Sequence, residues 1–158
     1  MGSSDPPTIY LTTVCATRSA TVGTPNSRCP PFFLGMGNLG LVYSAQGKVE
    51  YAMQHHLKAL EIAQSVSDRS GVATQLANIG FVSSKMHNFE DAVRFHLQAV
   101  EIEKSLGRKA AIARELDNLA GAYCALGQME KAAKAGEAGL ELYKELYGVD
   151  DPRAQHRS

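Results

Sequence analysis

The chain has 158 residues, in which 16 basic and 16 acidic side chains cancel to a formal net charge of zero. A neutral protein has no overall field that would attract nucleic acid or an acidic membrane surface, so neither is expected as a partner. No segment reaches the roughly eighteen consecutive apolar residues of a membrane-spanning helix, and no basic leader suggests a signal peptide.

The cysteines and the lack of catalytic motifs narrow the class further. Cys15, Cys29 and Cys124 make an odd number without metal-binding spacing, which fits a reducing compartment better than a disulfide framework. No glycine-rich phosphate loop and no Ser-His-Asp set is present. We therefore expect a cytoplasmic protein that is not an enzyme and that needs no metal or other cofactor.

The N-terminal segment differs in composition from the rest of the chain. Residues 1–31 are rich in serine, threonine and proline, with no helical period and little apolar bulk. Such a segment cannot bury enough apolar surface to offset the entropy lost on ordering. The sequence predicts a disordered arm over residues 1–31, which is either a leader without a function or a tail that can be phosphorylated.

From Phe32 onward the chain repeats itself. Asn38-Leu39-Gly40, Asn78-Ile79-Gly80 and Asn118-Leu119-Ala120 lie 40 residues apart, and glutamates and alanines follow in the same register. A fixed period of this size predicts a stacked array, in which each unit buries its apolar face against a neighbour.

In chain order, apolar residues at three- and four-residue spacing predict helices near 33–46, 49–66, 70–86, 89–106, 110–126 and 129–147. Short turns at Gly47, at His87-Asn88 and at Gly127 make the helices of each pair antiparallel. The prediction is an all-α, right-handed solenoid over residues 32–147, with units near 33–72, 73–112 and 113–147. Residues 148–158 are a tail or the start of a further repeat.

Small residues at matching positions explain how each pair packs. Gly40, Gly80 and Ala120 lie on the first helices, and alanines lie on the second helices. We expect these small residues to face one another, because larger side chains would push the helix axes apart. The expected alanines are Ala52, Ala92 and Ala132.

These residues and spacings resemble the tetratricopeptide repeat, whose usual unit has about 34 residues. The longer 40-residue unit, with Asn-Leu-Gly in the first helix and His56 to Ala63 in the second, is similar to LGN/Pins-type repeats and, more loosely, to kinesin light chains. The resemblance covers roughly residues 33–147. It implies a protein-interaction module without catalytic activity.

The resemblance also implies that the first helix of each pair lines a concave groove. An asparagine amide can donate to and accept from the backbone of an extended peptide, so the three asparagines in register are the centre of the predicted site. The alternative is that each asparagine bonds a neighbouring helix of the array. The predicted groove residues are Asn38, Leu41, Thr74, Asn78, Phe81, Lys85, Arg114 and Asn118.

Two further kinds of site, a clamp for a chaperone's terminal carboxylate and a zinc site, are not expected. The positions at which many members grip a chaperone's terminal carboxylate hold Gly37, Leu41, Asn78, Arg114 and Asn118, so that binding mode is not expected. Separately, His56 and His96 stand one repeat apart. Stacked helices lie roughly 10 Å apart, which is too far for one shared zinc ion, so these are predicted to be packing residues.

The sequence thus predicts an adaptor or scaffold that binds a segment of an unidentified protein partner in its groove. The alternative is a structural fragment of a longer array, which stacks on further repeats or self-associates through its last helix. That helix carries Leu140, Leu142, Tyr143, Leu146 and Tyr147, an apolar stripe for which the sequence offers no cover.

Overall fold

The computed structural model describes residues 31–148, with side chains from Met36 onward, and this part of the chain forms six α-helices. Each bound lies within two residues of its prediction. Apart from Pro31, the predicted arm lies outside the described residues, and so does the predicted tail after Gly148. The helices are α1 Pro31–Ala45, α2 Val49–Ser65, α3 Arg69–Lys85, α4 Phe89–Ser105, α5 Lys109–Ala125 and α6 Met129–Tyr147.

The turns between the helices share one geometry. The N–H of Gly47 donates to the carbonyl of Ser44 at 3.1 Å, and the N–H of Lys48 donates to the carbonyl of Tyr43 at 2.9 Å. This pair of bonds satisfies carbonyls that the end of a helix leaves without partners. The same pair recurs every twenty residues, each time at a residue with a left-handed backbone. These residues are Gly47, Ser67, His87, Gly107 and Gly127.

The sequence predicted three of these turns, and the structure adds those at Ser67 and Gly107. Glycine adopts a left-handed backbone without steric cost, whereas Ser67 and His87 adopt it at a cost of about 1–2 kcal/mol each. Helices α2 to α5 each have 17 residues and are each followed by a three-residue turn, so the 40-residue repeat consists of two similar halves.

The core is built from small and medium side chains. Around α2, Ala59 and Ala63 are fully buried, and Met36 and Val72 pack against them. Toward the other end, larger side chains from α4, α5 and α6 form a second cluster. Its buried members are Val100, Ile112, Leu119 and Ala135.

The glycines of the first helices face histidine rings, which corrects the predicted contact with alanines. A Cβ atom added to Gly40 would lie 2.6 Å from the ring of His56, and one added to Gly80 would lie 2.8 Å from the ring of His96. Both distances are far below van der Waals contact. The absent side chain is what allows an imidazole to lie in the middle of each helix pair.

Each ring also joins its own repeat to the next. His56 Nδ1 lies 2.9 Å from Gln75 Oε1, and His96 Nδ1 lies 2.7 Å from Glu115 Oε2. Both histidines are almost fully buried, at 0% and 1% exposure. The prediction that they are packing residues is confirmed, and the structure adds that they are hydrogen-bonded across the boundary between repeats.

Substitution of Gly80 tests the fit between glycine and histidine. We expect Gly80→Ala to destabilise the fold by about 1–3 kcal/mol, because the buried ring of His96 is tied to Glu115 and cannot move aside. The control is Gly121→Ala, where an added Cβ meets nothing within 4 Å. Alanine should stabilise that helical position by about 0.5–1 kcal/mol. Urea unfolding measures both, and equal stability of the two variants would contradict the assignment.

The His56 contact predicts a pH dependence. Its Nδ1 donates to the Gln75 carbonyl oxygen, and its Nε2 is buried with no hydrogen-bond partner in the described part of the chain. Burial lowers the pKa of His56 below its ordinary 6.5, the Gln75 bond opposes this change, and the charge of His55 adds to it. The unfolded state therefore binds this proton more readily, so stability falls as pH drops below about 6.5 toward the lower folded pKa.

The measurement is the free energy of unfolding between pH 7.5 and pH 5. We expect His56→Gln to flatten the part of the curve below about pH 6.5, because the variant has no imidazole to protonate at this position. His87→Gln, at an exposed turn position, serves as the control and should keep the wild-type slope. Identical slopes for all three proteins would show that His56 does not contribute.

Candidate concave peptide-binding groove

The contacts between helices show which side of the array is the inner one. The first helices of successive pairs touch, α1 with α3 and α3 with α5, whereas among the described residues α2, α4 and α6 do not touch one another. Helices that are closer together lie on the inner side of a curved stack. The first helices therefore line the concave side, and all eight predicted groove residues lie on them.

Three asparagines repeat along this side. Asn38, Asn78 and Asn118 occupy equivalent positions on α1, α3 and α5, and each is half-buried. Within residues 36–148, no hydrogen bond is formed by any of the three side-chain amides. Each amide can donate two hydrogen bonds and accept further ones at its oxygen. These three residues, here named the asparagine ladder, thus keep this hydrogen-bonding capacity for groups outside the described part of the chain.

Apolar side chains lie one turn beyond the first two asparagines. Leu41 exposes 50% of its surface and Phe81 exposes 47%, so neither belongs to the core. The Nζ atom of Lys85 lies 5.0 Å from the centre of the Phe81 ring, a cation–π contact. The equivalent position on α5 is Gly121. The groove is therefore apolar and bulky along its first two repeats and open at the third.

The remaining predicted residues lie one turn before the asparagines. The Thr74 hydroxyl donates to the carbonyl of Ser70 at 3.0 Å, inside its own helix. Arg114 Nε donates to Glu115 Oε1 at 3.3 Å, while the arginine side chain remains 62% exposed. Lys85 and Arg114 are thus exposed cations on the groove side, and Arg114 is steadied by a buried carboxylate.

The structure also shows a pocket that the sequence reading missed. It opens between α5 and α6 and has a volume of about 490 Å³. The signal was present in the repeat register, since Gly136 stands where the first two repeats have His56 and His96. The lining residues are Asp117, Ala120, Gly121, Cys124, Ala132, Ala133, Gly136, Glu137 and Leu140.

Three other properties of the described residues bear on function. No three of their histidine, cysteine, aspartate and glutamate side chains gather into a candidate metal site. In the same residues, no helix is both long enough and apolar enough to span a bilayer. Cys124 is exposed and is not part of a disulfide among the described residues.

Comparison with protein families identifies the class. Two family models, both described as the tetratricopeptide repeat, match residues 33–105 and 116–153. The chain belongs to the tetratricopeptide repeat family, and its fold is an all-α helical repeat solenoid. No curated protein matches it. The closer similarity to LGN/Pins-type repeats stays a prediction.

Solved structures agree on the fold. The TPR domain of Arabidopsis FLU is 21% identical, with a TM-score of 0.69 over 72% of this chain and 95% of that one. A putative kinesin light chain with nearly identical TPR-like repeats from Podosopora anserina is 21% identical, with a TM-score of 0.63 over 86% of this chain and 65% of that one.

A Rap protein complexed with Competence and Sporulation Factor is 22% identical, with a TM-score of 0.65. The alignment covers 87% of this chain but only 37% of the Rap chain. At these identities the similarity concerns the fold, and the tetratricopeptide fold indicates a protein-interaction module.

Proposed function

We propose that this chain is a non-enzymatic adaptor or scaffold module that holds an extended segment of another protein in its concave groove. The observation that carries the proposal is the ladder of Asn38, Asn78 and Asn118, whose amides have no hydrogen-bond partner among residues 36–148. A half-buried amide without a partner is costly unless water or a ligand satisfies it. Amides repeated along one side match the repeated N–H and C=O groups of an extended backbone.

The apolar side chains beside the ladder supply the second part of the interaction. Leu41 and Phe81 are large, exposed and one repeat apart, so an apolar side chain of a bound segment can contact each of them. Exposed aromatic residues at the centre of a contact surface commonly carry much of its binding energy. The similarity to a Rap protein that is complexed with Competence and Sporulation Factor supports the proposal. The proposed compartment is the cytoplasm. Cys124 is exposed and is not part of a disulfide among the described residues, which agrees with a reducing environment.

A selection from random twelve-residue peptides displayed on phage, with the full chain as bait, tests this function. We expect selected peptides to bind Asn78→Ala about 5- to 30-fold more weakly, the scale of one lost hydrogen bond of about 1–2 kcal/mol. Phe81→Ala should weaken binding by a similar factor or more. Fluorescence polarisation with labelled peptides measures the change.

Matched control variants lie on the outer helices. Leu97 is 44% exposed on α4, close to the 47% of Phe81, and Gln98 beside it is exposed. Leu97→Ala and Gln98→Ala should leave peptide affinity unchanged. If Asn78→Ala and Phe81→Ala keep wild-type affinity and helicity while an outer variant loses affinity, the groove is not the binding surface.

One observation favours self-association as a second function. At the end of α6, Leu146 is 38% exposed and Tyr147 is 44% exposed, and among the described helices α6 packs only against α5. An apolar surface of this kind commonly pairs with another protein surface. The partner in this case would be a second copy of the chain.

Sedimentation velocity from micromolar to several hundred micromolar concentration tests the second function. We expect the wild-type chain to associate as its concentration rises, and Leu146→Lys to shift the association to at least tenfold higher concentration. Leu106, which is also 38% exposed, gives the control variant Leu106→Lys. A wild-type chain that stays monomeric over the whole range would contradict self-association through α6.

A further inference from the structure

The pocket between α5 and α6 results from an exchange of residues within the repeat. In the first two pairs, a histidine ring from the second helix fills the space beside a glycine of the first helix. In the third pair, Ala120 takes the place of the glycine and Gly136 takes the place of the histidine. A Cβ added to Gly136 would have one neighbour within 4 Å, the Cβ of Ala120 at 3.8 Å. The methyl group of Ala120 fills only a small part of the volume that a histidine ring fills in the first two pairs. The rest of that volume is open space.

Most side chains that line this pocket are small and apolar, and its charged residues are both acidic. Five of the nine lining residues are alanines or glycines, and the half-buried Leu140 is the largest apolar one. Two carboxylates face it from opposite helices, Asp117 on α5 and Glu137 on α6, and no lining residue is basic. Asp117 also interacts elsewhere in the protein, whereas Glu137 forms no ion pair or hydrogen bond within residues 36–148.

We propose that this pocket binds a basic side chain, arginine in particular, of the segment held in the groove. The apolar stem would lie against Ala132, Ala133 and Leu140, and the guanidinium would interact with the carboxylates of Glu137 and Asp117. Basic side chains combine an apolar stem with a cationic head, and arginine presents five N–H donors suited to carboxylates. An acidic side chain would be repelled, and a purely apolar one would leave Glu137 without a partner.

The position of the pocket agrees with the direction of the groove. Asp117 and Gly121 line the pocket and lie on α5, one residue before and three residues after Asn118. A segment bound along the asparagine ladder would therefore pass close to the pocket at the third repeat. The proposal rests on the proposed function for the source of the side chain. The pocket itself can be tested without any selected peptide.

The test uses N-acetyl-arginine N-methylamide as a probe and the matching citrulline compound, which has nearly the same shape and no charge. Both are titrated into the ¹⁵N-labelled full chain, and the amide signals are followed. We expect the arginine probe to shift the signals of Gly121 and Gly136 in a saturable way, and citrulline to bind at least fivefold more weakly. Equal binding of the two compounds, or shifts only outside the pocket, would overturn the proposal.

Two variants assign the effect to the pocket. Ala120→Gly combined with Gly136→His rebuilds the arrangement of Gly80 and His96, so the ring should fill the space and abolish the shift of the Gly121 signal. Glu137→Gln leaves the packing unchanged and should weaken the probe at least threefold. Glu141→Gln, on the same helix but outside the pocket, is the control and should bind normally. Full binding by Glu137→Gln, or by a folded double variant, would overturn the assignment.

The outcomes separate this proposal from the proposed function. If Asn78→Ala loses the phage-selected peptides and wild type does not bind the arginine probe, the groove stands and the pocket proposal fails. If the probe binds but the selected peptides bind Asn78→Ala as tightly as wild type, the pocket proposal stands and the proposed role of the asparagine ladder fails. A pocket occupied by a second copy would show Gly121 and Gly136 signals that move with protein concentration and not with the probe, which would also overturn the proposal.

Discussion

The contact between a buried histidine and its two neighbours is the interaction on which this array depends. His56 and His96 each fit against a glycine of their own helix pair and form a hydrogen bond to the first helix of the next repeat. Packing within a repeat and stacking between repeats are therefore coupled through one side chain. A buried polar group must find its partner, so this bond also selects one register for the stack.

The two junctions differ in chemistry although their geometry is the same. Gln75 gives His56 a neutral partner, while Glu115 gives His96 a carboxylate that is 1% exposed and also contacts Arg114. Removing one partner of a buried hydrogen bond leaves the other group unsatisfied, and this costs more when that group is a carboxylate than when it is a neutral amide. The second junction is therefore the more sensitive to substitution, and Arg114 connects it to the groove.

The sequence was sufficient for the fold because its signals are local and repeated. The period, the helix spacing and the turn residues each depend on neighbours along the chain, and Gly47 and Gly127 marked their turns correctly. The partners of the histidines lie 19 residues away on another helix. Gln75 and Glu115 are polar residues with nothing in their local pattern to show burial, so the sequence pointed to alanines instead.

The candidate site, like the fold, was only partly predictable from the sequence. Family resemblance placed the eight groove residues on the first helices, but only the structure shows that Leu41 and Phe81 are exposed and that the asparagines lack internal partners. The pocket was missed because a glycine in one repeat reads as a weak helix residue. Its meaning comes from comparison with His56 and His96, and from the empty space that only a three-dimensional packing can show.

A repeat array can carry different side chains at equivalent positions without a change of backbone. In this array such differences make the two ends of the groove unlike each other. The positions of Leu41 and Phe81 are filled by Gly121 in the third repeat, and the histidine position is filled by Gly136. Both changes remove bulk at the same end, where Asp117 and Glu137 add negative charge. A segment with apolar residues toward one end and a basic residue toward the other would fit in one orientation only. In the proposed binding mode, these differences between repeats would favour one direction of the extended segment over the other.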